Sequence, residues 1–199
     1  MSRRYAAGMT LFLSGGLMFS FAGGRYALGA VAQDEARRHW NEVDARAAVN
    51  AARARAIAGH GPALLVAGEP VARLIIPKIG LDEIVLEGIN DDVLNGGPGH
   101  FPGSPLPGRR GNAIISAHRD RHFRHLGDLE VGDTLTTEAG SAMATWVIVS
   151  KRVVDKDVPA LFPSKVTRLT LTTCWPIRFI GSAPDRLIVT AEPATGRKT

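Results

Sequence analysis

The sequence predicts an all-β barrel or sandwich for the larger, C-terminal part of the chain, behind an N-terminal segment of different character. From about residue 68 onward, short runs of Val, Ile, Leu and Thr alternate with clusters of Gly, Pro, Asn and Asp, the pattern of strands and turns. The chain holds 22 Gly and 12 Pro but only 6% aromatic residues, so its core must rest on branched aliphatics joined by tight turns. Helical signals in this part are few and short.

At 199 residues, with 45% hydrophobic and 22% charged side chains, the chain suits one globular domain plus an extension, and a disordered tail or coiled coil is excluded. The formal net charge is +5, yet the Arg residues are scattered among Ala and acids and form no basic block, so nucleic acid is not an expected partner. A single cysteine, Cys174, rules out an internal disulfide and a Cys-rich zinc site.

In chain order, Arg3 and Arg4 precede an uncharged stretch from Tyr5 to Gly24, about the 20 residues that a helix needs to cross a bilayer. Residues 1–32 therefore read as a membrane anchor with Arg3 and Arg4 on the cytoplasmic side, although Arg25 weakens the charge asymmetry. The rival is a cleaved signal peptide, since Ala30-Val31-Ala32 before Gln33 has the small-x-small form of a cleavage site. Both readings export the domain. Residues 33–62 read as a helical stem. Asp34 with Arg38 and Glu42 with Arg46 are acid-before-base pairs four apart, and the apolar content is mostly Ala. Such a helix contributes few large core residues, and the domain is expected to fold without it; alternatively Trp40, Val43 and Ala47 pack on the domain or on a partner helix. Gly59-His60-Gly61-Pro62 ends the stem.

The domain spans 68–194, with 195–199 as a tail. Its expected strands are Val71–Pro77, Leu81–Glu87, Asn112–His118, Thr134–Glu138, Thr145–Val154, Val166–Thr173 and Arg186–Ala191. Single helical turns are expected at Asn90–Leu94, capped by Asn90 or Asp91, and at Arg121–Leu126. Gly96–Gly111 is too rich in Gly and Pro for regular structure, and a long loop in a compact domain is often functional.

Candidate chemistry centres on Cys174, which closes a strand just before Trp175-Pro176. A lone cysteine is more often a small buried hydrophobe than a nucleophile, but a free thiol in an exported domain is open to oxidation and needs a reason to be there. His118 ends the apolar run from Asn112, at a strand rim where it can exchange protons. Arg186 stands twelve residues past Cys174 at the head of the next strand, where a planar donor can hold an oxyanion.

The run Thr170-Leu171-Thr172-Thr173-Cys174 matches the TLxTC motif of sortases, with His118 and Arg186 in the matching order around it. The chain resembles a sortase over roughly residues 70–193. It is most similar to the type from Gram-negative bacteria, through GHFPGSPLPG at 99–108, GNAIISAHRD at 111–120 and TCWPIRFIGSAPDR at 173–186. The resemblance implies a closed β-barrel with one or two short helices behind a membrane helix, and a cysteine transpeptidase with Cys174 as nucleophile. It implies His118 as general acid/base and Arg186 as the oxyanion donor. It further implies a partner protein carrying a C-terminal sorting signal, often LPxTG-like, an amine acceptor, and residence in the cytoplasmic membrane with the domain outside.

That chemistry requires no metal or organic cofactor. No clustered acidic loop suggests the calcium that some sortases use. A rival metal-hydrolase reading rests on His118, His122 and His125, but it lacks the glutamate of an HExxH motif and sets Arg119, Arg121 and Arg124 beside the histidines. A non-enzymatic, membrane-tethered peptide-binding or assembly domain explains anchor and barrel, but not the Cys–His–Arg set.

Overall fold

The computed structural model describes residues 23–24, 27–42, 65–140, 142–158, 164–179 and 181–194. Among them, eight strands form a closed barrel: β1 Pro70–Ile76, β2 Leu81–Glu87, β3 Gly99–His100, β4 Asn112–Ser116, β5 Thr134–Ala139, β6 Ala142–Asp155, β7 Arg168–Trp175 and β8 Asp185–Pro193. Their order around the barrel is β1-β2-β3-β4-β7-β8-β6-β5, and β5 returns to β1. Most pairings are antiparallel, but β3 runs parallel to β2 and β4 parallel to β7. The expected all-β barrel is therefore present, and closure leaves few unpaired sheet edges.

Seven strands lie where the alternation of β-branched residues and turn formers puts them. The eighth, β3, falls inside the Gly/Pro-rich stretch expected to be irregular. It is only two residues long and owes its place to backbone fit. A Cβ on Gly99 would come within 2.1 Å of the Gly88 carbonyl oxygen, so only glycine lets the chain lie this close to the end of β2. His100 follows, buried, with Nδ1 2.6 Å from Glu87 Oε2 and Nε2 2.9 Å from Ser104 Oγ, which ties the loop to β2. The strand expected to reach His118 ends at Ser116, and the one expected to end at Thr173 continues through Cys174 to Trp175, before Pro176.

The main core fills the barrel with Leu74, Ile76, Val85, Ile115, Trp146, Leu169, Leu171 and Val189. Phe123 and Leu126 also join it, from the segment after His118. That segment, expected as a helical turn, is a chain of tight turns leading into a 3-10 turn at Leu126–Asp128. The turn at Asn90 is a short helix, α2 (Asp91–Gly96), whose Asn90 side chain accepts from the Val93 N–H at 2.9 Å. Helix α1 covers residues 27–41 and precedes the barrel in the chain.

Of the two readings of the stem, α1 follows the one in which Trp40 packs on the domain. Trp40 is 1% exposed and, with Ala36, meets Ile84, Leu86 and Val93 in a second core. β2 is thus covered on both sides, by the barrel interior at Val85 and by α1 at Ile84 and Leu86, which explains its unbroken Ile-Val-Leu run. Large core residues are few in this helix, as expected, but Trp40 alone gives it a stake in the fold, because one buried indole outweighs several Ala in apolar surface. Val43, Ala47 and the stem's end at 59–62 lie outside the described residues, as does the anchor up to residue 22. Among the described residues no helix is long and apolar enough to cross a membrane.

Gln33 is the polar counterpart of Trp40. Its Oε1 accepts from the Ile84 N–H at 3.0 Å, while its Nε2 donates to the carbonyls of Ile84 at 3.0 Å and Gly96 at 2.9 Å. Arg37 donates to the Asp82 carbonyl one helical turn further on. Replacing Gln33 with Ala is expected to leave these buried backbone groups unpaired and to destabilise the protein by about 1–3 kcal/mol. Trp40→Ala is expected to cost about 3 kcal/mol or more. Urea unfolding of the full chain measures both; wild-type midpoints in both variants would mean that α1 is not docked.

Candidate active site

β7 lies between β4 and β8, and the two pairings bring the predicted residues together at one end of the barrel. Across the antiparallel β7–β8 pair, Cys174 stands directly opposite Arg186. Side chains of such a pair project from the same face of the sheet, with Cβ atoms about 5 Å apart. On the other side, Ser116 is in register with Thr172 in the parallel β4–β7 pair. The ladder extends one further bond, from the Ala117 N–H to the Thr172 carbonyl at 3.2 Å, and His118 follows at once.

The threonines of the 170–174 run explain their own presence. The Thr170 hydroxyl donates to Asn112 Oδ1 at 2.8 Å and the Thr173 hydroxyl to the Ala117 carbonyl at 2.7 Å, both buried. They lock β7 to β4 at both ends of the run, the second immediately before His118. Leu169 and Leu171 fill the barrel core. The motif therefore delivers Cys174 to the end of a strand that cannot slide.

Cys174 is exposed and free. His118 is half-buried, and burial pushes its imidazole below the ordinary histidine value of 6.5. Asp120 and Asp91 pull upward without cancelling that shift, while Arg121 and His122 add to it. Its backbone carbonyl accepts from the N–H groups of Arg121 and Phe123, so the turn is anchored at its start. Arg186 is partly exposed and donates from Nε to the Lys156 carbonyl at 3.1 Å, which leaves its two terminal nitrogens for other acceptors. Backbone register pairs Cys174 with Arg186 and brings the end of β4, one residue before His118, beside β7.

The other histidines go elsewhere. His122 Nδ1 lies 2.5 Å from Glu83 Oε2, and His125 Nδ1 lies 3.0 Å from Asp128 Oδ2. Among the described residues no group of three His, Cys, Asp or Glu side chains is arranged to hold a metal.

A model of the sortase domain matches residues 74–194, which cover the barrel from β1 to just past β8. The chain belongs to the sortase family. Sortase D of Bacillus subtilis (strain 168) is 36% identical over 130 residues, 64% of this chain and 66% of that protein, so the chain spans just under two thirds of that relative. Among solved structures, a Clostridium perfringens Sortase D5 transpeptidase superposes with a TM-score of 0.64 at 22% identity, covering 84% of this chain and 98% of that one. A C. perfringens sortase C, solved with a C-terminal cell wall sorting motif, gives 0.64 at 22% identity, covering 82% and 97%. At that identity the superpositions establish the fold.

Two features of this sortase domain escaped the sequence. A cleft of about 580 Å³ is lined by Trp175, Pro176 and Ile177 on one side and by Arg119, Asp120 and Gly127 on the other. Arg119, noticed in the sequence only as a charge unfavourable to a metal, reaches across to the loop after β7. Neither has a sequence signal, because both arise where segments some sixty residues apart meet.

The direction of the His118 shift has a measurable consequence. Its folded-state value lies below the unfolded one, so this group's contribution to stability is complete above about pH 6.5 and is lost as pH falls towards the folded value. In 15N-edited NMR of the histidine ring, His118 is expected to titrate with a midpoint below 6.5, and His118→Asn is expected to lessen acid destabilisation below that pH. A midpoint above 6.5 would overturn the assignment of burial as the dominant influence.

Proposed function

We propose that this sortase is a membrane-anchored cysteine transpeptidase that cleaves a C-terminal sorting signal, LPxTG-like in its general form, of an exported protein and transfers the new carboxyl end to an amine. The observation that carries this reading is the register of β7, which sets Cys174 opposite Arg186 and next to the strand leading to His118.

In the proposed cycle the Cys174 thiolate attacks the scissile carbonyl, and the Arg186 guanidinium donates to the oxygen as it becomes an oxyanion. Collapse of the tetrahedral intermediate breaks the C–N bond, the leaving amine takes a proton from the His118 imidazolium, and a thioester remains on Cys174. An acceptor amine then attacks, the now neutral His118 removes its proton, and the thiolate is released. The lowered proton affinity of His118 makes the imidazolium the minority form near neutral pH and strengthens it as an acid once formed. No step requires a metal or organic cofactor.

For location, we propose that residues 1–32 are retained as a single-pass anchor in the cytoplasmic membrane, with the barrel facing the periplasmic or extracellular side. The continuity of α1 across the alternative cleavage point after Ala32 and the burial of Gln33 support retention. The acceptor amine is the least specified partner.

Mass spectrometry of the full chain isolated from cells is expected to find a thioester adduct on Cys174, whose mass identifies the sorting signal, and no adduct in Cys174→Ala. Full turnover in Cys174→Ala would sink the mechanism, whereas peptide binding without turnover by wild type would favour a pure binding module.

The role of Arg186 is separable from its charge. Lys keeps the charge but loses the planar fork, so Arg186→Lys is expected to lower turnover of a fluorogenic sorting peptide by about 10²-fold with little change in Tm. Wild-type turnover would place the oxyanion donor elsewhere.

A further inference from the structure

Arg119 immediately follows His118, and its guanidinium is spent on the loop that links β7 to β8. Nη1 donates to the Pro176 carbonyl at 3.1 Å, and Nη2 donates to the carbonyls of Phe179 at 3.1 Å and Gly181 at 2.7 Å. Its carbon sits 5.7 Å from the centre of the Phe179 ring, within cation–π range. Three main-chain acceptors and a ring around one planar cation use the geometry of arginine, and an ammonium on a shorter reach cannot serve them together.

The position of this contact gives it consequence. The loop starts two residues after Cys174 and ends just before β8, which begins one residue ahead of Arg186. Phe179 is 46% exposed, so little apolar burial holds this stretch in place. Arg119 spans a cleft, joining the wall built from the segment after His118 to the wall built from Trp175, Pro176 and Ile177, the residues that directly follow Cys174 in the chain.

We propose that Arg119 is a positioning residue that fixes the loop after Cys174 at Pro176, Phe179 and Gly181, and thereby sets how well a peptide is held for attack by Cys174. This rests on the transpeptidase reading for its kinetic consequence, but not for its structural one. The guanidinium is committed to backbone carbonyls in the protein itself, so its effect on substrate passes through the loop. Losing it is expected to weaken peptide binding and leave the thiol's own reactivity unchanged.

The test compares the full chain with Arg119→Lys and Arg119→Ala. Arg178 lies exposed within the clamped loop and serves as the reporter, because trypsin cuts after arginine only where the backbone can open. Both variants are expected to be nicked after Arg178 about tenfold faster than wild type, with the cut identified by mass spectrometry. With a fluorogenic sorting peptide, kcat/KM should fall about tenfold, mostly through KM. The rate and pH profile of Cys174 alkylation by iodoacetamide should be unchanged.

Wild-type protection of Arg178 and wild-type KM in the Lys variant would overturn the proposal, as would an equal fall in alkylation and peptide turnover. If Arg119→Ala does not fold, Arg119→Lys carries the same comparison. Should Cys174→Ala retain turnover, the transpeptidase reading fails, while faster nicking at Arg178 still supports the clamp.

Discussion

Everything at the candidate site depends on the pairing of β7 with two neighbours of opposite direction. The parallel partner, β4, is held in register by the Thr170 and Thr173 hydroxyls, and the antiparallel partner, β8, by its own ladder from Leu169 to Trp175. A slip of one residue in either pair would turn Cys174 towards the barrel interior or move it away from Arg186. Register is costly to change here because Leu169 and Leu171 would leave the core in the same movement. The apolar core of the barrel and the geometry of its chemistry are thus set by one constraint.

The site is assembled on a rigid frame and finished by side chains that reach out from it. Cys174 and Arg186 stand on strands, while His118 stands on a turn whose first carbonyl is hydrogen-bonded twice. No hydrogen bond joins the three, and Cys174 keeps a free thiol while Arg186 commits its Nε to the Lys156 carbonyl. Burial lowers the proton affinity of His118.

Much of this was legible in the sequence, for identifiable reasons. β-Branched runs between turn formers exposed seven strands because each buries at least one face, and a two-sided pattern of apolar residues is hard to disguise. The placement of Cys174, His118 and Arg186 at strand boundaries was legible because Pro176, the Ser116-Ala117 end of β4 and the Asp185 turn mark the edge. β3 was hidden because two residues cannot show a period, and its partner is chosen by the missing side chain of Gly99. The docking of α1 rests on Trp40 and Gln33 among many alanines, and only the shape of the β2 surface decides whether such a helix lies down or stands away. Arg119 was hidden for a related reason, since its acceptors are main-chain carbonyls that no residue type advertises.

The amide of Gln33 has a further significance. β3 begins too late to pair with the first half of β2, and the Ile84 N–H and carbonyl would otherwise face outward as an unfilled rung of the ladder. The Gln33 side chain offers one acceptor and one donor to that same residue, as a peptide unit of a neighbouring strand would. Gly97 leaves room for it, since a Cβ there would lie 2.1 Å from the Gln33 nitrogen. A helix side chain thus serves as the missing piece of strand and closes a gap in the barrel wall. A chain shortened past residue 33 would expose an unpaired strand edge at Ile84 within an apolar surface, the kind of surface on which second molecules add as extra strands, so its failure would appear as self-association before it appeared as unfolding.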